Sequence, residues 1–187
     1  TFTTEEAPAP WNNTTGPSTV GIQFNNLKDQ NGVLSGTNLT ITKEFNGPGF
    51  TGVNSNSGIF PGKVMSSNYW TDAGQVSQVK FSNLNVSKKY RIGIFGSAIS
   101  YGYFIAKYSC NENNVYLNSL NNDSKIVYLS DLVPNDQGEL YLDCSTLTGS
   151  PYSFTSVLTI ESYEDNSSYV PVLGRGEENE YVDYSDP

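Results

Sequence analysis

Apolar residues in this chain recur with period two, and clusters of Asn, Gly, Asp or Pro interrupt the pattern every ~8 to 12 residues. A chain patterned this way forms short strands with one face toward a core and one toward water. Packing two such sheets together buries both apolar faces, so the pattern predicts an antiparallel β-sandwich. The strands expected are 19–24, 39–45, 76–81, 90–95, 103–108, 114–117, 126–129, 139–143 and 154–161. In YRIGIF, Tyr90, Ile92 and Ile94 share one face, which makes 90–95 the central strand of its sheet. The Asn-rich link 118–125 (NSLNNDSK) reads as the turn of a hairpin between 114–117 and 126–129. Only 62–68, after Pro61, has helical character. It is barely two turns long and would carry Tyr69 and Trp70 across an open end of the sandwich.

A chain of 187 residues can bury roughly two-thirds of its unfolded surface, so one core needs no metal or disulfide scaffold. The ends leave the pattern. Residues 1–10 (TFTTEEAPAP) read as a linker, and 164–187, acidic with Gly and Pro, as a linker or edge segment. That leaves 11–163 as a single β-sandwich domain. The net charge of -9 comes from only 16% charged residues, so Asn, Ser, Thr, Tyr and Gly cover most of the surface, as suits an extracellular or outer cell-surface setting. The ten Lys and Arg form no basic stripe, and a phosphate backbone would be repelled, which excludes nucleic acid. No apolar run approaches the ~20 residues that span a bilayer, so membrane insertion is not expected.

The chain has no histidine, which removes Ser-His-Asp and Cys-His nucleophilic sites and the commonest neutral-pH base. Nucleotide and hydrolase glycine motifs are also absent. A carboxylate pair of the glycosidase kind survives this filter, but 19 Asp and Glu make some pairing inevitable without function. The chain is therefore expected not to be an enzyme. Its two cysteines, Cys110 and Cys144, each end an expected strand. Two reduced core thiols are one reading. The extracellular composition favours the other, a disulfide contributing roughly 3 to 4 kcal/mol in the chain-entropy model. With no C-x-x-C spacing it would be a staple rather than a redox site.

Aromatics make up 13% of the chain, with Tyr outnumbering Phe 13 to 9, an excess suited to surfaces that present a flat apolar face and a polar edge. The loop 96–102 (GSAISYG) is long for a hairpin, and 148–152 (TGSPY) has a similar composition. These place Ser97, Tyr101, Tyr103 and Tyr152, together with Trp70, as candidate ligand-binding residues. A sugar ring stacked on such an aromatic would bury ~50 to 60 Å² of apolar surface, worth roughly 1.5 kcal/mol. Core or rim packing is the competing reading for Trp11 and Trp70. Asn- and Asp-rich clusters at 25–32, 111–114, 121–123 and 135–136 offer oxygens of the kind Ca²⁺ takes. None has the EF-hand spacing, and turn chemistry accounts for them equally well. No cofactor is therefore expected, a structural Ca²⁺ being the alternative. Six N-x-[ST] sequons, at Asn12, Asn13, Asn38, Asn85, Asn122 and Asn166, follow from the composition.

The segments PWNNT (10–14), SGIFPGKVMSSNYW (57–70), FSNLNVSKKYRIGIFGSA (81–98), VYLNSLNN (115–122) and GSPYSFTSVLTIE (149–161) together resemble a domain of large secreted and cell-surface proteins of Bacteroidota, with fibronectin-type-III modules as frequent neighbours. The resemblance implies a jelly-roll, galactose-binding-like sandwich inside a modular exoprotein. The expected function is non-catalytic binding of carbohydrate, the partners being a glycan or neighbouring surface-protein domains. The alternative is a structural or adhesive spacer in an adhesin or filament.

Overall fold

The computed structural model describes residues 9–13 and 17–164. The expected linkers over 1–10 and 164–187 lie, apart from their innermost residues, outside the described residues. In chain order the elements are β1 (Gln23–Phe24), β2 (Asn38–Lys43), β3 (Gly47–Gly49), α1 (Gly62–Ser66), β4 (Asn68–Asp72), β5 (Ser77–Ser82) and β6 (Lys89–Phe95). They continue with β7 (Ile105–Cys110), β8 (Asn113–Asn118), β9 (Val127–Leu132), β10 (Leu140–Thr146), β11 (Tyr152–Thr155) and β12 (Val157–Tyr163).

One layer is a six-stranded sheet of order β1-β2-β5-β10-β7-β8, and the facing layer holds two three-stranded sheets, β12-β6-β9 and β11-β4-β3. Every named strand pair is antiparallel. From β4 onward the chain changes layer at almost every step, from β5 to β6 to β7 and from β8 through β9 and β10 to β11. This is jelly-roll connectivity, so the all-β sandwich expected from the period-two pattern is the fold. Alternation explains which side chains meet: in β5, Ser77, Val79 and Phe81 are buried and Gln78, Lys80 and Ser82 are partly exposed. Ile41, Val79 and Leu142 of the large sheet pack in one core with Tyr69, Ile92, Ile94 and Leu129 of the facing layer. Each fully buried aliphatic side chain stabilises this core by about 1.5 to 3 kcal/mol. Tyr108 is fully buried, and its hydroxyl donates to the Phe154 carbonyl at 2.7 Å, tying the layers together.

The abundant Asn residues are punctuation. Asn26, Asn83, Asn111 and Asn121 sit at positive φ, which their short polar side chains tolerate better than most. Asp29 Oδ1 accepts from the N–H groups of Asn31 and Val33. Asn135 Oδ1 does the same for Gln137 and Glu139. Asn122 is buried, with Nδ2 donating to the carbonyls of Gly96 and Lys125 and Oδ1 accepting from Lys125 N. These oxygens close turns, and among the described residues no group of three or more acidic, His or Cys side chains could hold a metal ion.

Four expectations are corrected. First, β8 and β9 do not form a hairpin: β8 pairs with β7 and β9 with β6, because residues 119–126 carry the chain from one layer to the other. Second, Tyr69 and Trp70 do not cap an open end but belong to β4, since the helix stops at Ser66. Third, the single strand expected over 154–161 is two strands, broken at Ser156, whose N–H turns to the Phe95 carbonyl at 2.8 Å. Fourth, Cys110 and Cys144 are free thiols, both buried. They lie on neighbouring strands, but Cys144 faces Tyr108 and not Cys110, so the two are offset by two residues along the sheet. Burial pushes both thiols up to about 12. No helix among the described residues is long and apolar enough to cross a membrane.

Candidate functional site

The site is assembled on the outer face of the β11-β4-β3 sheet. Alternation along β4 sends Tyr69 into the core and Trp70 to the opposite face. Register then sets Phe154 of β11 opposite Trp70 and Tyr152 opposite Asp72, so these residues share Trp70's face. On Trp70's other side stands Gly47 of β3. With no side chain there, the indole lies against the strand, 3.2 to 3.7 Å from where Cβ atoms on Gly47 and Gly49 would sit.

The loop 96–104, leaving β6 to cross to β7, folds over part of this face. Ala98 and Phe104 pack with Phe154, Trp70 and Leu120 in a cluster separate from the main core. Tyr152 meets Trp70 edge to face, centroids 5.7 Å apart, and lies nearly parallel to Phe104 at 6.2 Å. Phe104 meets Phe154 edge-on at 5.6 Å. The loop is anchored by backbone bonds: Ala98 N to Ser119 O, Asn121 N to Ala98 O and Ile99 N to Thr51 O. Ser150 Oγ accepts from Ile105 N at 2.9 Å and lies 3.2 and 3.0 Å from the carbonyls of Tyr103 and Tyr152. That hydroxyl joins the two loops that the sequence had singled out separately.

Of the five expected ligand-binding residues, four are accessible here. Tyr101 is fully exposed, at 102%, Tyr103 is 46% and Tyr152 40% exposed, and Trp70 is half-buried. Gly102, at φ +136, supplies the reversal just after Tyr101 that a residue with Cβ would resist. Ser97 is corrected: it is fully buried, and its Oγ accepts from Val53 N at 3.0 Å while its carbonyl accepts from Asn68 Nδ2 at 3.1 Å. It positions the loop and offers nothing to a ligand. Sequence reading missed Ile99, 58% exposed on the loop, and missed Phe104 and Phe154 as the floor under Tyr152.

The tyrosine hydroxyls differ in what they bond. Those of Tyr90, Tyr108, Tyr141 and Tyr163 each engage a protein group. Among the described residues, those of Tyr101, Tyr103 and Tyr152 and the Trp70 indole N–H make no protein hydrogen bond, as is also true of Tyr116 and Tyr128 on β8 and β9. The site thus combines aromatic faces with uncommitted polar edges, a set that stacks on an apolar surface and hydrogen-bonds around its rim. A cleft of about 280 Å³ beside Phe50 is lined also by Gly52, Asn54, Lys63, Ser66 and Ser67. A second, of about 290 Å³, lies between β8 and β9 and includes Tyr128. There the Arg91 guanidinium covers the Tyr128 ring at 3.5 Å, so that face is already occupied. Glu139 is held below the usual carboxylate range by hydrogen bonds from Lys80 and Tyr141, the wrong direction for a general acid.

No family model matches this chain, and no curated protein matches it. A solved structure of TmCBM61 in complex with beta-1,4-galactotriose is similar over 69% of this chain and 90% of that one, at 16% identity and a TM-score of 0.36. At that distance no ligand can be carried from one chain to the other.

Proposed function

We propose that this chain is a non-catalytic carbohydrate-binding module of a secreted or surface-exposed protein. The observation that carries the reading is the aromatic group at the β11-β4-β3 face, where Tyr152 and Trp70 rest on a packed floor, Tyr101 and Tyr103 stand exposed beside them, and none of their polar edges has a protein partner. A pyranose presents one apolar face ringed by hydroxyls. Stacked on one of these rings it would bury ~50 to 60 Å², worth roughly 1.5 kcal/mol, with the free phenol and indole groups setting its orientation. Rings already locked by edge and stacking contacts lose little freedom when a ligand arrives, which favours binding. The resemblance to modular exoproteins of Bacteroidota supports the extracellular placement and neighbouring domains of the same chain as further partners.

A glycan array probed with and without Ca²⁺, followed by calorimetry on any hit, tests this reading. Binding that Tyr152→Ala weakens by about tenfold, corresponding to about 1.4 kcal/mol, is the expected result. Absence of any glycan ligand would overturn the proposal in favour of a structural or adhesive spacer.

A further inference from the structure

At one end of β4 the loop 96–104 closes the outer face of the small sheet: Asn68 is buried there, and its Nδ2 donates to the Ser97 carbonyl at 3.1 Å. Toward the other end the face stays accessible, and it carries a carboxylate. Alternation puts Asp72 on the same side as Trp70, and register sets it directly opposite Tyr152, where paired Cβ atoms lie about 4.5 to 5.5 Å apart. Asp72 is half-buried and fixed from several directions. Its N–H donates to Asn46 Oδ1 at 2.9 Å, and its Oδ2 accepts from Asn46 Nδ2 at 3.0 Å. In the turn that follows, Ala73 N donates to Pro151 O at 2.9 Å and Gln75 N to Asp72 O at 3.1 Å.

The same network leaves two polar groups uncommitted. Because Asn46 Oδ1 takes the Asp72 N–H, its Nδ2 must face the Asp72 carboxylate and the Gln75 side chain. Gln75 meets it with Oε1 at 3.3 Å, which turns its own Nε2 outward at an exposed position. Among the described residues no protein group donates to Asp72 Oδ1, and the ion pairs engage other carboxylates. Both side chains bond the one Asn46 Nδ2, so an acceptor oxygen and a donor amide stand together beside the Trp70–Tyr152 pair. A sugar hydroxyl is donor and acceptor at once and suits that combination. Charge adds a restriction. The segments around the site, 45–53, 68–77, 96–104 and 146–156, contain no Lys or Arg and, tyrosine aside, one ionisable group, Asp72. A carboxylate or sulfate brought against it would meet like charge with no cation to offset it.

We infer that Asp72, with Gln75 beside it, selects neutral sugars at this site. Hydroxyls of a sugar stacked on the Trp70–Tyr152 pair donate to Asp72 Oδ1 and accept from Gln75 Nε2, and acidic sugars are rejected by the carboxylate. Asn46 is the positioning residue that holds both side chains in place. This rests on the carbohydrate-binding reading above and adds the groups that read the hydroxyls and the charge class of the ligand.

The experiment measures calorimetric affinities of the full chain for glucose, galactose and mannose trisaccharides and for the matching trisaccharides of their uronic acids. The expected result is binding of at least one neutral trisaccharide, with its uronate weaker by about tenfold or more. Asp72→Asn keeps the side chain's size and an oxygen for Asn46 but removes the charge. It should weaken neutral binding by about tenfold and bring the neutral and acidic ligands to within about threefold of one another. A merely structural role for Asp72 would not move that ratio. Gln75→Ala, at an exposed position, should weaken the neutral ligand by about fivefold and leave the ratio as in wild type. A uronate bound as tightly as its neutral counterpart, an unchanged ratio in Asp72→Asn, or unaltered affinity in Gln75→Ala would each overturn this assignment. Carbohydrate binding at the aromatic pair would still stand, provided that Tyr152→Ala loses affinity. No binding of any of these probes, neutral or acidic, would overturn both.

Discussion

The contrast between Tyr101→Ala and Tyr152→Ala separates the part of the site that is built into the fold from the part that projects from it. Tyr152 contacts three rings: Trp70 edge-on, Phe104 in a stack and Phe154 at a tilt. Aromatic pairs contribute about 0.5 to 1.5 kcal/mol each beyond area burial, and pairs that share one ring are not additive. Its loss should therefore destabilise the fold by about 2 kcal/mol, which lowers Tm by about 4 to 8 °C in a domain of this size. Tyr101, fully exposed and with no ring partner among the described residues, should cost less than ~0.5 kcal/mol and move Tm by no more than about 2 °C. Both substitutions should weaken binding of a confirmed oligosaccharide by about tenfold. Urea unfolding followed by circular dichroism gives the stabilities, and calorimetry gives the affinities. A Tyr101→Ala protein destabilised as much as Tyr152→Ala would refute the division. Normal affinity in both variants would place the ligand elsewhere.

Other consequences are open to equally direct checks. Ile94→Ala empties a fully buried position facing the main core and should destabilise by about 2 to 5 kcal/mol in urea unfolding; a loss under 1 kcal/mol would show that the core collapses around it. Gly96→Ala would bring a Cβ to 1.9 Å from the Phe154 carbonyl oxygen, so β6 and β11 must part, at a cost of about 3 kcal/mol; a melting temperature equal to wild type would disprove that contact. Ellman titration should find no reactive thiol in the native protein at pH 8 and two after unfolding. A reading of zero after unfolding would restore the disulfide. Burial raises the pKa of Cys110, Cys144 and Tyr108 in the folded state, so folding retains protons that the unfolded chain releases. The thiols' contribution is fully present below about pH 9, their ordinary value, and is lost as pH rises toward 12, whereas that of Tyr108 begins to fall only above its ordinary value of 10. Stability measured against pH should fall more shallowly over that window in Cys144→Ala than in wild type; identical slopes would falsify this linkage.

Some of this was written in the chain's periodicity. Alternation determined that there would be strands, and the Asn, Gly and Asp clusters determined where most of them would stop. The central position of 90–95 and the burial of Tyr90, Ile92 and Ile94 followed from one face being apolar. The exposure of Tyr101 was equally legible, because a ring between Ser and Gly in a long polar loop has nothing local to pack against. Pairing was not legible. Period two assigns a residue to a face but not to a neighbouring strand, so 114–117 and 126–129 read as a hairpin when the chain in fact changes layer between them. Nor does it give register, and a shift of two residues between β7 and β10 is the whole difference between a disulfide and two separate buried thiols. The same holds for the site: Tyr152, Trp70 and Gly47 lie far apart in sequence, each unremarkable there, and became neighbours only when three short strands aligned them. Local pattern decides what each segment can form, whereas a binding surface is a long-range pairing that only the packed sheets determine.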